Sequence, residues 1–222
     1  LPIFKEYFPI AVARRRVSGD AASLLVEDDE TYAWGLRRFL DEAETLASLR
    51  HKNIVRVLDV FEAAGTAYMV MRYEEGRDLS DALELGLNFD EDDLLEFLRA
   101  LMNALQRVHD TGFVHRDVKP QNIVLRADDT PVLIDFGSAR RSMSSKTQPM
   151  TSIVTPGYAP VEQYDVAGSR QGPWTDIYSL AAVAYRIIAG RLPPDAIARM
   201  TSLVSGAPDP LDVFSVGERR FE

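Results

Sequence analysis

Apolar residues recur every three or four positions in two long stretches of the chain, residues 31–50 and 90–111. This spacing is typical of amphipathic helices that bury one face. Asp90 is the expected N-cap of the second helix, and Gly112 is the expected residue just past its end. A third stretch, 175–189, is apolar almost throughout, which predicts a buried helix.

Shorter apolar runs predict β-strands at residues 3–8, 55–61, 66–73 and 132–134. Residues 17–30 are polar and acidic and are interpreted as a loop. Residues 138–174 are rich in Ser, Thr, Gly and Pro and predict a second, much longer loop. Loops of that length inside a domain usually carry function.

The order of these elements places most strands before most helices, which predicts an α+β protein with two segregated lobes. A polar break at Glu74-Glu75-Gly76 separates the two parts. We therefore predict a small lobe of antiparallel strands at 1–74 and a larger helical lobe at 75–222.

Composition excludes several classes of protein. The 222 residues contain no cysteine, so a disulfide framework and a thiolate metal site are excluded. The formal net charge of −9 gives nucleic-acid binding no global electrostatic support, and Arg14-Arg15-Arg16 is interpreted as a solvated turn. Because no apolar stretch is long enough to cross a membrane, we expect a cytoplasmic domain, with any anchor outside these residues.

Two polar runs carry the candidate chemistry: His115-Arg116-Asp117-Val118-Lys119-Pro120-Gln121-Asn122 and Asp135-Phe136-Gly137. Phosphoryl transfer needs a carboxylate at the attacking hydroxyl, a cation near the moving phosphate and two oxygen ligands for Mg²⁺. Residues of the required types are Asp117, Lys119, Asn122 and Asp135. Asp, Asn and Gly are also ordinary turn residues. The alternative interpretation, that both runs are turns without a catalytic role, is the weaker one because all four residue types occur together.

The two runs resemble the catalytic loop and the metal-binding triplet of the protein kinases. The segment Thr155-Pro156-Gly157-Tyr158-Ala159-Pro160-Val161-Glu162-Gln163-Tyr164 is similar to the bacterial branch of the eukaryotic-like serine/threonine kinases. The resemblance extends over nearly the whole chain. It implies a bilobal kinase fold, ATP and Mg²⁺ as cosubstrate and cofactor, and a protein substrate.

The same resemblance implies catalytic residues in the small lobe. Lys5, within Ile3-Phe4-Lys5-Glu6-Tyr7, matches the lysine that holds the α- and β-phosphates. Its expected partner is Glu42 on the following helix, with Glu44 as the competing candidate. Two positions along a helix is a rotation of about 200°, so both glutamates cannot face the same cleft.

The adenine site is implied by the last strand of the small lobe and the hinge. Met71 matches the gatekeeper, the backbone of Arg72 and Glu74 would hydrogen-bond adenine, and Val124 would lie beneath the ring. These assignments rest on the resemblance alone.

The resemblance also implies which residues regulate the kinase and which set its choice of acceptor residue. Arg116 matches the arginine that reads a phosphate on the activation segment, and the acceptors there include Thr147, Thr151 and Ser152, besides Ser142, Ser144 and Ser145. Thr155 matches the threonine that hydrogen-bonds the catalytic aspartate and lysine in serine/threonine kinases. Asp176 would anchor the catalytic loop through its backbone.

The chain departs from the family pattern at both ends. The glycine-rich loop and first two strands are expected before Lys5, and several helices are expected after Gly190. The arginine that pairs with Glu162 in the family is represented only by Arg219 and Arg220. We therefore expect a kinase domain trimmed at both ends, which alone would bind ATP more weakly than the complete domain.

Three functions compete at this point. The leading hypothesis is a Mg·ATP-dependent protein serine/threonine kinase, with a homodimer possible for autophosphorylation. The second is a pseudokinase or kinase-like binding scaffold, motivated by the missing glycine-rich loop. The third, a small-molecule kinase, fits poorly because such kinases resemble H-G-D-x-x-x-x-N and lack an extended activation segment.

Overall fold

The computed structural model describes residues 1–18, 21–136, 140–141, 154–165 and 170–211. The chain divides into two compact units, Leu1–Glu74 and Glu75–Glu222. No helix among the described residues is long and apolar enough to cross a membrane.

The described residues of the first unit form five strands and one long helix. Its elements are β1 (Pro2–Glu6), β2 (Ala13–Ser18), β3 (Ala21–Val26), α1 (Asp29–Ser48), β4 (Val57–Ala63) and β5 (Thr66–Arg72). The strands β1, β5 and β4 form one antiparallel sheet in that order, while β2 and β3 form a separate hairpin.

Local sequence accounts for these elements. The connection between β4 and β5 is Ala64-Gly65, and both residues have positive φ, 52° and 79°. This conformation is that of a two-residue hairpin turn whose twist matches the flanking strands. At the start of α1 the Asp28 carboxylate accepts from the backbone N–H of Thr31 at 3.0 Å, which caps the helix.

The prediction of a loop over residues 17–30 is wrong. Strand β2 pairs with β3 from Ala13↔Val26 to Ser18↔Ala21. The interpretation of the arginine run as a turn is also wrong, since Arg14 lies in β2 and forms an ion pair with Glu27 at 2.6 Å. Pairing between neighbouring strands satisfies the backbone here, so strand formation did not require a buried apolar face.

The second unit is mainly helical. Its longer elements are α2 (Leu79–Glu84), α3 (Glu91–His109), α4 (Pro173–Ala189) and α5 (Ala196–Val204), with 3₁₀ turns at Pro120–Asn122 and Val161–Tyr164. Its short strands are β6 (Arg77–Asp78), β7 (Phe113–Val114), β8 (Ile123–Leu125), β9 (Pro131–Leu133) and β10 (Arg140–Arg141). The order β6-β8-β9 forms one sheet, and β10 pairs with β7.

Helices α3 and α4 pack together and form the core of this unit. Asp90 caps α3 as predicted, in a capping box with Asp93, and helix 175–189 is confirmed with two further residues at its start. Leu101, Leu105 and Val183 are fully buried. This core positions the C-terminal end of β7 and the first turn of α4, which carry residues of the candidate site.

Candidate active site

A buried carboxylate holds the loop that follows β7. Asp176, in the first turn of α4, is fully buried and accepts from the backbone N–H of His115 at 2.9 Å and of Arg116 at 2.7 Å. His109 Nε2 lies 2.7 Å from the same carboxylate. The expected anchoring of the loop by Asp176 is therefore present, whereas the contact with His109 was not predicted.

The loop contains a strained residue directly before Asp117. Arg116 has φ of 68°, the left-handed region that non-glycine residues rarely occupy. Its backbone N–H is held by Asp176 and its carbonyl accepts from Gln163 Nε2 at 2.7 Å. Strain of this kind persists where surrounding contacts fix it, and it clusters at functional sites.

Three side chains converge on the Asp117 carboxylate. Lys119 Nζ lies 2.8 Å from Oδ2, and Asn122 Nδ2 donates to the same oxygen at 2.8 Å. The Thr155 hydroxyl donates to Oδ1 at 3.2 Å and accepts from Lys119 Nζ at 3.3 Å. The structure thus brings together four of the residues predicted from sequence, Asp117, Lys119, Asn122 and Thr155, in one partly buried cluster.

The β8–β9 pair connects Asn122 of this cluster to Asp135. Asn122 directly precedes β8, and its carbonyl accepts from the backbone N–H of Ile134 at 2.9 Å. Asp135 comes one residue later, is exposed, and has φ of 55°. The strand predicted at 132–134 corresponds to β9, which pairs with β8 in the antiparallel register Ile123↔Leu133.

His115 is a structural residue of this site. Its ring centroid lies 4.4 Å from that of Phe136, and its Nδ1 accepts from the backbone N–H of Asp117 at 3.3 Å. Complete burial lowers the pKa of His115 below its usual 6.5, although the carboxylates of Asp176, Asp117 and Asp135 oppose the effect. A neutral ring that accepts at Nδ1 orients the backbone of Asp117.

Two further residues that support the site were missed by the sequence reasoning. Gln163 holds the Arg116 carbonyl, and Thr175 donates its hydroxyl to Glu162 Oε1 at 2.9 Å. The predicted partners of Glu162, Arg219 and Arg220, lie outside the described residues. The sequence signal that could have pointed to this contact is the polar residue Thr175 in the first turn of a largely apolar helix.

The small-lobe candidates lie in the first unit. Lys5 is in β1 opposite Met69, and Glu42 is buried in α1 whereas Glu44 is exposed, which favours Glu42 as the inward-facing glutamate. The remaining candidates for adenine are Met71 and Arg72 in β5, Glu74 buried just after it, and, in the second unit, Val124 buried in β8.

Three regulatory candidates fall in the part of the chain that the structure does not describe. Thr147, Thr151 and Ser152 lie outside the described residues, as does Gly137 of the Asp-Phe-Gly triplet. Their roles stay predictions.

Comparison with known protein families shows which family this chain belongs to. The protein kinase domain family matches residues 20–208. The chain belongs to the protein kinase family. This confirms the predicted α+β kinase fold and the family on which the residue assignments rest.

Relatives of this kinase domain include bacterial serine/threonine kinases. It is 34% identical over 202 residues to the serine/threonine-protein kinase pkn2 of Myxococcus xanthus, covering 86% of this chain and 24% of that protein. It is 32% identical over 161 residues to the probable serine/threonine-protein kinase PknB of Lactococcus lactis, covering 72% and 25%. The chain therefore spans about a quarter of the length of these relatives.

A solved structure shows the same fold. The apo form of PpkA-294 is 34% identical to this kinase domain, with a TM-score of 0.70, and the match covers 94% of this chain and 71% of that one. Bilobal kinase architecture is thus the fold of this chain.

The donor set around Asp117 fits a kinase metal site. Asn122 Nδ2 donates to the Asp117 carbonyl and carboxylate, both at 2.8 Å, which leaves Oδ1 as the Asn122 atom able to ligate a cation. Among the described residues there is no cluster of three or more His, Cys, Asp or Glu side chains suited to a metal. Mg²⁺ is usually held by one or two protein oxygens together with phosphate oxygens and water, and Asn122 with Asp135 meets that requirement.

Replacement of Asp176 by alanine is expected to lower the free energy of unfolding by about 3 kcal/mol, because the buried N–H of His115 and the partly buried N–H of Arg116 lose their charged acceptor. Urea unfolding of the full-length protein measures the loss. Glu96→Ala, which removes an exposed carboxylate from α3, is the matched control and should leave stability nearly unchanged. Equal unfolding curves for the two variants would show that Asp176 does not hold the loop.

Proposed function

We propose that this domain is a protein serine/threonine kinase that transfers the γ-phosphate of Mg·ATP to a Ser or Thr hydroxyl of a protein substrate. The observation that carries the proposal is the cluster of Lys119, Asn122 and Thr155 around the Asp117 carboxylate. The cluster places a cation, an amide and a hydroxyl each within hydrogen-bond distance of one carboxylate, which is the proposed base, and the amide oxygen of Asn122 is left for a metal ion.

Each residue has a defined part in the transfer. A carboxylate oxygen of Asp117 orients the acceptor hydroxyl and takes its proton as the new O–P bond forms to the γ-phosphorus and the bond to the β–γ bridging oxygen breaks, which releases ADP. Lys119 and Lys5 balance negative charge on the phosphates. Asn122 and Asp135 would hold Mg²⁺, which when bound would neutralise negative charge on the phosphates.

Positioning and electrostatics account for the catalysis on this proposal. Thr155 bridges Lys119 and Asp117, so it keeps the base and the cation at a fixed separation. Arg72 and Glu74 would bind adenine through their backbone, with Met71 and Val124 against the ring. Arg116 would bind a phosphate on the activation segment, with Thr147, Thr151 or Ser152 as the modified residue.

The choice of acceptor tests this proposal. Peptides that differ only in a central Ser, Thr or Tyr are offered with Mg·ATP to the full-length protein, and phosphorylation is read by mass spectrometry. Transfer to Ser and Thr but not to Tyr is expected. Transfer only to Tyr, or only to small alcohols, would contradict the proposal.

A matched pair of variants tests the role of Thr155. Thr155→Val removes the hydroxyl at nearly constant volume and is expected to lower kcat by about tenfold to a hundredfold, since the contacts to Asp117 and Lys119 are lost. Thr155→Ser keeps the hydroxyl and should retain most of the activity. Equal loss in both variants would show that the hydroxyl is not the important group.

A further inference from the structure

A glycine in the middle of helix α1 has no conformational reason to be there. Gly35 is buried and helical, and glycine is a poor helix former compared with alanine. A Cβ added at Gly35 would lie 2.0 Å from the hydroxyl oxygen of Tyr7 and 3.0 Å from Cζ of the same ring. The missing side chain therefore makes room for the end of the Tyr7 side chain.

The Tyr7 ring packs against α1, and the Tyr7 backbone is fixed by β5. Its centroid lies 5.2 Å from that of Tyr32 and 5.7 Å from that of Phe39, both on α1. Its backbone N–H donates to the carbonyl of Ala67 at 2.9 Å, and its carbonyl accepts from the Thr66 hydroxyl. A group placed at Gly35 would therefore disrupt the contact between the Tyr7 ring and α1.

The same helix and the same strand carry the two catalytic candidates of the first unit. Gly35 and Glu42 are seven residues apart, which is about two helical turns and returns to nearly the same face of α1. Lys5 and Tyr7 are two residues apart in extended chain, so they share one side of the strand, about 7 Å from each other. Tyr7 directly follows β1, and its ring contacts α1, so Lys5 lies on the same side of this extended segment as that contact.

We propose that the contact between Tyr7 and Gly35 positions helix α1, and with it Glu42, relative to the strand that carries Lys5. This inference rests on the proposed function, in which Glu42 holds Lys5 on the ATP phosphates. Tyr7 and Gly35 are positioning residues, since neither touches the nucleotide. The aromatic contacts supply the packing, while the absent side chain at Gly35 sets how closely the helix approaches.

The experiment measures binding of Mg·ATP and of adenosine by calorimetry on the full-length protein, because adenosine lacks the phosphates on which Lys5 acts. Gly35→Ala is expected to weaken Mg·ATP binding by about tenfold and to leave adenosine binding unchanged. Adding Tyr7→Phe to Gly35→Ala removes the obstructing hydroxyl oxygen and should restore Mg·ATP affinity to within about threefold of the wild-type value.

Tyr32→Phe is the matched control for this suppression. It removes a hydroxyl from the same aromatic group, one that donates to the Gly65 carbonyl at 2.9 Å, without opening space at Gly35. It should not restore Mg·ATP binding in Gly35→Ala. If Gly35→Ala fails to fold, Tyr7→Leu takes its place, because it withdraws the ring from α1 instead of blocking it. It should weaken Mg·ATP binding selectively.

The proposal is overturned if the substitutions leave Mg·ATP binding unchanged, if they weaken adenosine equally, or if Tyr32→Phe suppresses as well as Tyr7→Phe does. Transfer of phosphate is assayed on the same proteins. Wild-type protein that binds Mg·ATP but transfers nothing would defeat the proposed function while the binding pattern still supports this inference. Wild-type protein that binds no Mg·ATP would overturn both.

Discussion

Replacement of Asp117 by alanine is expected to lower kcat for phosphate transfer by about a thousandfold or more, with a much smaller effect on ATP affinity. The reason is that Asp117 acts on the acceptor hydroxyl and not on the nucleotide. Three neighbours fix the direction of its carboxylate: Lys119, Asn122 and Thr155.

Steady-state kinetics on the full-length protein, with nucleotide binding measured separately, checks this expectation. Asp117→Asn is the matched variant, since it keeps the hydrogen-bonding shape of the side chain and removes the basic oxygen. Both variants should lose kcat to a similar degree. A collapse of ATP affinity with kcat preserved would show that Asp117 has been given the wrong role.

Replacement of Asp135 by asparagine is expected to abolish Mg²⁺-dependent transfer while the protein remains folded. A charged metal ligand is lost, but the side-chain volume hardly changes. The φ of 55° at Asp135 is a conformation that asparagine also tolerates, so the backbone itself gives no reason for unfolding.

The chain offers a closely matched control for this change. Asp129 is exposed in the turn between β8 and β9 and has φ of 58°, so Asp129→Asn makes the same chemical change at nearly the same backbone conformation. Transfer is titrated with Mg²⁺ for both variants, and urea unfolding is compared. Substantial residual turnover in Asp135→Asn at any Mg²⁺ concentration would remove Asp135 from the metal role.

The helices of this domain were predictable because their signals are local. The capping box of Asp90 and Asp93 lies within four residues, and the spacing of apolar residues in α3 indicates which face of the helix is buried. The core of the candidate site was predictable for a related reason. Asp117, Lys119 and Asn122 lie within six consecutive residues, so their spacing along the loop already implies that they act together.

Other parts could not be predicted because they depend on distant partners. Gln163 reaches a carbonyl 47 residues away along the chain, and nothing local marks it as a support for Arg116. The hairpin β2–β3 could not be predicted because its two strands pair with each other, apart from the sheet β1-β5-β4, and this pairing has no regular apolar alternation to mark it. Helix α5 was missed because its pattern over nine residues is short.

The contact between Tyr7 and Gly35 could not be predicted either, because it also joins residues that are distant in the sequence. A glycine inside a helical pattern ordinarily weakens the prediction of a helix, and the sequence gives no sign that a tyrosine 28 residues earlier fills the space. Only the packing of the strand against α1 shows why glycine fits at that position.

The most direct test of the proposed activity is phosphate transfer itself, measured with the purified full-length protein, γ-labelled ATP and a general protein acceptor. The proposal predicts label on Ser and Thr, ADP released in equal amount, loss of transfer when Mg²⁺ is chelated, and no transfer in Asp117→Ala. Tight binding of ATP without any transfer, to the acceptor or to the protein itself, would contradict it and would favour a kinase-like binding scaffold.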